Sequence, residues 1–149
     1  MGTTLLPRDF KEFLTSLNSR NVRYLLIGGY AVSYYGYVRA TADLDVWVEP
    51  TAINARQVVA ALNDFGIKVP ELTEAIFIAR DQVARIGVPP IRIELLTSIS
   101  GVEFEECYAH RLNAVIDEIT VPVISLEHLK ENKKASGRLK DLNDLEMLP

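Results

Sequence analysis

Apolar residues recur along this chain with two periods, one helical and one strand-like, and the switches between them outline its elements. Behind Pro7, the residues Phe10, Phe13, Leu14 and Leu17 fall at helical spacing within Arg8–Ser19. Tyr24–Ile27 is an unbroken apolar run ending at Gly28-Gly29, which predicts a buried strand and a tight turn. A short helix around Tyr30–Tyr35 follows and stops at Gly36. Leu44–Val48 predicts a second strand, stopped by Pro50, and residues 52–64 predict a helix closed by Gly66. Residues 71–79 fit a helix or a strand. Val83–Gly87 and Ile91–Leu96 predict an antiparallel pair joined through Pro89-Pro90. Phe104–Arg111 reads as a helix, and Ile119–Ile124 as a strand that Pro122 sends to a sheet edge. Leu126–Ser136, with Ser125 as its N-cap, and Arg138–Leu148 read as two closing helices. This mixture predicts an α/β or α+β fold: one mixed sheet flanked by helices, with helices at the C-terminus, in a single domain over residues 1–149.

Polar residues inside the strand runs carry the candidate chemistry. Asp43 and Asp45 flank Leu44, and on a strand such positions share one face, so both carboxylates converge while Leu44, Val46 and Val48 take the other side. Two carboxylates so close raise each other's pKa unless a cation lies between them. Oxygen ligands suit a hard ion such as Mg²⁺, usually shared with substrate phosphates. The glycine pair upstream allows a ligand to approach the backbone closely. Glu94 stands within the apolar run Ile91–Leu96, where an unpaired carboxylate is costly to bury. If its strand lies beside Asp43 and Asp45, Glu94 completes a three-carboxylate metal site; otherwise Arg92 or Arg85 is its partner.

The sequence Gly-Gly-Tyr-Ala-Val from Gly28, followed by Arg39-Ala40-Thr41-Ala42-Asp43-Leu44-Asp45-Val46 and a later strand acid, resembles the nucleotidyltransferase-fold superfamily. Within it, the chain looks like the abortive-infection (AbiEii-like) toxin group and the lincosamide and aminoglycoside nucleotidyltransferases. The run from Lys133 to Leu145 extends the likeness to the AbiEii-like group. Glu94 stands where Asp is commoner, and Gly29 where Ser is frequent. The resemblance implies a metal-dependent nucleotidyltransferase. Asp43, Asp45 and Glu94 would hold two Mg²⁺ that bridge the phosphates of an NTP, and a nucleoside monophosphate would pass to a hydroxyl. It also implies that Gly28 and Gly29 approach the phosphates and that Lys134 and Arg138 contact phosphate or substrate. Arg39 is read as a partner of the triphosphate or of Asp43, and Thr41 as a phosphate ligand or a turn cap.

Composition narrows the setting. A net charge of −4 argues against wholesale wrapping of nucleic acid, and the basic run Lys130, Lys133, Lys134, Arg138 and Lys140 has a solvated helix face as its default reading. The single Cys107 excludes an intrachain disulfide and reads as core. No apolar stretch is long enough to span a membrane and no basic-then-apolar leader opens the chain, which together predict a cytoplasmic protein. Tyr30, Tyr34, Tyr35 and Tyr37 read as core more readily than as a base-stacking platform, and His110 and His128 lack metal-ligand spacing. Relatives in the superfamily modify antibiotics, tRNA ends or protein tyrosines. Because the drug-modifying ones usually add a helical domain, a macromolecular acceptor, RNA or protein, is expected. An antitoxin-type protein partner fits the same likeness. The rival reading is a degenerate fold that binds a nucleotide or metal, or only a partner protein, without catalysis, and it would be favoured if Glu94 faced away from Asp43 and Asp45.

Overall fold

In the computed structural model, which describes residues 6–38, 41, 43–88 and 91–149, the strand Asp43–Val48 (β2) sets the two faces of the sheet. Leu44, Val46 and Val48 are fully buried on one side, while Asp43, Asp45 and Trp47 occupy the other. β2 runs antiparallel to Tyr24–Ile27 (β1) and parallel to Ile91–Leu96 (β4). Val83–Val88 (β3) pairs antiparallel with β4, as the alternation predicts, although the Pro89-Pro90 connection lies outside the described residues. Leu112–Ile116 (β5) and Ile119–Val123 (β6) form a hairpin, and the six strands lie in the order β3-β4-β2-β1-β6-β5.

This hairpin overturns one expectation. Pro122 was expected to send its strand to an edge, yet β6 lies inside the sheet and β5 is the edge. The ladder from β1 reaches β6 only past the proline, through Leu26 opposite Val123 and the Ile124 N–H donating to the Leu26 carbonyl, so little is lost by the missing donor. β5 is hard to see in sequence because its two-residue turn is Asp117-Glu118. Both residues adopt positive φ (48° and 73°) without the glycine that usually marks such a turn.

Helices cover the sheet. Arg8–Ser19 (α1) turns Phe10, Phe13, Leu14 and Leu17 inward, and Phe13 meets Phe65 of Ala52–Phe65 (α3) edge-on with ring centroids 5.4 Å apart. Thr51 caps α3, accepting from the Asn54 N–H, and Gly66 ends it in a left-handed conformation. Gly28–Tyr34 (α2) begins directly at the end of β1. The ambiguous stretch resolves as a short helix, Glu74–Ile78 (α4), which buries Phe77. On the acid-bearing face, Trp47 packs edge-on against Phe104 of Phe104–Ala109 (α5). Leu126–Ser136 (α6) is capped by Ser125, which accepts from the His128 N–H, and Gly137 turns the chain into Leu139–Met147 (α7). Of the tyrosines, Tyr30 is buried against Phe10, and the Tyr35 hydroxyl donates to the Ile124 carbonyl, a structural use of both. Cys107 is fully buried, which pushes its thiol up to about 12. No helix among the described residues is long and apolar enough to cross a membrane.

Candidate active site

Strand register brings the acids together. Asp45 of β2 lies opposite Glu94 of β4, and Asp43 opposite Arg92, on one face of the sheet. Ligand oxygens of Asp43, Asp45 and Glu94 all lie within 4.8 Å of one another. Glu94 therefore faces the aspartates, the arrangement that would not favour the degenerate reading.

The electrostatics of the three acids differ. Burial first, then the neighbouring Glu94 and Asp43, push the Asp45 carboxyl up to about 7, against an ordinary 3.8. Asp43 moves the other way because Arg92 hydrogen-bonds it. The guanidinium Nε donates to Oδ1 at 3.1 Å and Nη2 to Oδ2 at 2.8 Å. The same Nη2 lies 3.5 Å from Glu94 Oε1, and Arg85 Nε lies 3.4 Å from that oxygen. Both arginines named as alternative partners for Glu94 are thus present beside it without removing it from the aspartates. Three carboxylates this close, one of them pushed towards neutrality, form a hard-oxygen donor set of the kind that a divalent cation such as Mg²⁺ fits.

The turn after β1 meets this cluster. Gly28 sits at φ +68°, and a Cβ there would run into the Asp45 carboxylate, so both conformation and space require glycine. A Cβ at Gly29 would lie 2.8 Å from the Thr41 Cβ. Glycine at 29 therefore makes room for Thr41, whose hydroxyl donates to the Asp43 carbonyl at 3.3 Å. No side chain among the described residues caps α2, whose first N–H groups lack intrahelical partners beside the acids.

A polar cavity of about 930 Å³ opens over the cluster, lined on one wall by these residues and on the other by α6 and α7. The second wall is held in place by Asn132 Nδ2 donating to the Ser100 carbonyl and by Gly101, whose missing side chain lets Ala135 approach. Lys133, not Lys134, reaches the cavity. Its ammonium is buried between Asp141 and Asp144, 3.2 Å from each. Burial alone would raise the Asp141 carboxyl, but bonds from Arg138, Ser136 and Lys133 outweigh it and hold it at about 2. Arg138, anchored by its Nε to Asp141 at 2.7 Å, projects a largely exposed guanidinium at the cavity lip beside Lys140.

The predicted residues therefore divide. Gly28, Gly29, Thr41, Asp43, Asp45, Glu94 and Arg138 all line the cavity. Lys134 is exposed and does not line it. Arg39 lies outside the described residues. Lys133, Lys140 and Ser136 were not singled out from the sequence as site residues, although Lys133 falls four residues after buried Leu129, in phase with the inward face of α6. His110 and His128, distant in sequence, are neighbours in space, with ring centroids 5.6 Å apart and away from the cavity.

No family model matches the chain, and no curated protein matches it in sequence. Solved structures do. A Thermotoga maritima protein described as a nucleotidyltransferase superposes with a TM-score of 0.63 at 14% identity, over 93% of this chain and 89% of its own. The antibiotic-resistance factor ANT(2'')-Ia superposes with a TM-score of 0.60 at 12% identity, over 93% of this chain and 79% of its own. The lincosamide antibiotic adenylyltransferase LnuA, solved with lincomycin bound, gives 0.57 at 14% identity, over 97% of this chain and 96% of its own. What is shared at these identities is the fold. LnuA also removes the force of the length argument for a macromolecular acceptor, because it handles a small drug within nearly the same extent of chain.

Proposed function

We propose that this chain, built on the fold of those nucleotidyltransferases, transfers a nucleoside monophosphate from an NTP to a hydroxyl acceptor in an Mg²⁺-dependent reaction. The observation that carries the reading is the convergence of Asp43, Asp45 and Glu94 within 4.8 Å, with the glycine turn after β1 packed directly against Asp45. Asp43, Asp45 and Glu94 would hold the metal, which supplies charge neutralisation of the phosphates and a lowered pKa for the attacking hydroxyl. The backbone at Gly28 and Gly29, where α2 begins beside the acids, would approach the phosphates through its N–H donors. Arg138 and Lys140 face the same cavity from the second wall and supply positive charge to the leaving pyrophosphate. Glu94 would accept the proton as the acceptor oxygen bonds to the α-phosphorus and pyrophosphate departs. Position and charge make up the protein's contribution.

A macromolecular acceptor, RNA or protein, is the reading favoured for the hydroxyl, supported by the exposed Arg85, Arg138 and Lys140 around the opening. An antitoxin-type partner rests on the C-terminal resemblance alone. The deciding experiment incubates the protein with each α-labelled NTP, Mg²⁺ and either a cell lysate or a panel of hydroxylated antibiotics. Label in an RNA or protein band supports the favoured acceptor, and label on a drug replaces it. No labelled product from any NTP, beside Mg²⁺-dependent NTP binding, would instead support the degenerate, nucleotide-binding reading.

A further inference from the structure

Arg92 occupies the position where the proposed metal site is weakest, and its geometry has a consequence for how that site fills. Parity on β4 places Arg92 on the same face as Glu94, and the parallel register sets it directly opposite Asp43. Its guanidinium fork takes both oxygens of Asp43 and reaches Glu94 with the same Nη2. A divalent ion bound at either Asp43 oxygen would sit close to that guanidinium, like charge against like charge in a partly dry setting. The fork, however, fits a phosphate as well as a carboxylate. Arg92 lines the same cavity as Gly28, Gly29 and Arg138, within reach of any phosphate bound there.

We infer that Arg92 is an internal counter-cation that competes with the divalent metal for Asp43 and yields that carboxylate when a phosphate gives its guanidinium a new partner. Metal and nucleotide then bind cooperatively, and the metal-free enzyme keeps its acids paired. Arg92 acts as a positioning residue for Asp43 and becomes a substrate contact once it has exchanged. Arg85, which is 60% exposed and approaches Glu94 alone, has only a minor share in this. The inference rests on the metal-binding reading above and adds to it which residue governs filling.

Two binding measurements test it, neither involving turnover. The first titrates Mn²⁺, without nucleotide, into the wild type, Arg92→Gln, Arg85→Gln and Asp45→Asn by calorimetry. Arg92→Gln should bind Mn²⁺ about tenfold more tightly than the wild type, the scale of one charge-assisted pair, and Arg85→Gln less than about threefold more tightly. Arg92→Gln should also melt at a lower temperature without metal and gain more from added Mn²⁺. The second measures NTP binding in EDTA. Asp43→Asn, by freeing Arg92, should tighten metal-free NTP binding, and this gain should disappear in the Asp43→Asn/Arg92→Gln double variant. Equal Mn²⁺ affinity in wild type and Arg92→Gln, or a gain that persists in the double variant, overturns the role of Arg92 and leaves the metal site standing. Mn²⁺ binding that is absent throughout, or untouched by Asp45→Asn, overturns the metal site and the inference with it.

Discussion

Two charge clusters line the same cavity and treat aspartate in opposite ways. In the C-terminal helices, Asp141 is 1% exposed, yet bonds from Arg138, Ser136 and Lys133 overcome burial and hold its carboxyl at about 2. On the sheet, burial and the neighbouring Glu94 and Asp43 push Asp45 up to about 7. Burial acts in the same direction at both sites, so the difference lies in what faces the carboxylate: donors in one case, like charges in the other. The helical cluster balances its buried carboxylates with donors and fastens α6 to α7. The strand cluster sets Asp45 against two further carboxylates, whose charge Arg92 and Arg85 offset from the side. Perturbed carboxylates of this kind concentrate at functional sites.

The sharpest way to break this contrast is to unbalance the helical cluster. Lys133→Met leaves Asp141 and Asp144 buried without their shared ammonium, and it should cost roughly 3–5 kcal/mol of stability. That corresponds to a melting temperature lower by about 10 °C, measurable by calorimetry or urea unfolding. A loss within experimental error would show that Lys133 does not balance the two buried carboxylates in the way described.

Asp45→Asn tests the other side and should have the opposite sign. Because the folded protein holds the Asp45 proton up to about pH 7 while the unfolded chain releases it near 3.8, the wild type loses stability as pH rises across that window. Without metal, Asp45→Asn should therefore be more stable than the wild type above pH 7, on the order of 2 kcal/mol, with the difference closing towards pH 4. The same variant should lose the thermal shift that Mg²⁺–NTP gives the wild type. Parallel pH–stability curves for the two proteins would contradict the repulsion assigned to the strand cluster.

Gly28→Ala places a methyl group against the Asp45 carboxylate in a left-handed conformation. It should cost about 1–2 kcal/mol from the backbone alone and weaken nucleotide binding as well. Ser is frequent at this position in the resembled family, but Gly29→Ser meets Thr41 here and should be accepted only if Thr41 yields. Comparing the two separates a conformational requirement at Gly28 from a packing requirement at Gly29. The smallest effect belongs to Lys134→Ala, which changes an exposed side chain outside the cavity and should stay within about 0.5 kcal/mol in stability. Unchanged NTP affinity should accompany it, and a loss would return Lys134 to the site.

Much of the molecule was legible because its local rules agree with its tertiary setting. The strand parity of Asp43 and Asp45, the glycine stop after Ile27, the Ser125 cap and the Gly66 and Gly137 helix ends each follow from contacts within a few residues. β5 was missed because Asp117 and Glu118 take positive φ without glycine, stabilised by tertiary contacts: Asp117 accepts the Leu6 N–H and pairs with Lys11 at 3.6 Å. The edge position expected from Pro122 failed because it depended on where β1 begins its ladder, a fact no segment of β6 contains.

By itself, then, the sequence determined which side chains share a face: alternation on a strand and the 3.6-residue turn of a helix are properties of the backbone. That sufficed to put Asp43 and Asp45 on one face and to place a glycine turn at the end of β1. Only the tertiary structure decided which faces meet. The parallel register of β2 and β4 put Glu94 against Asp45 and Arg92 against Asp43. The packing of α6 turned Lys133 inward and Lys134 out to solvent. The reason is physical: a carboxylate's charge state depends on groups within a few ångströms, and here those groups come from strands and helices far apart in the chain.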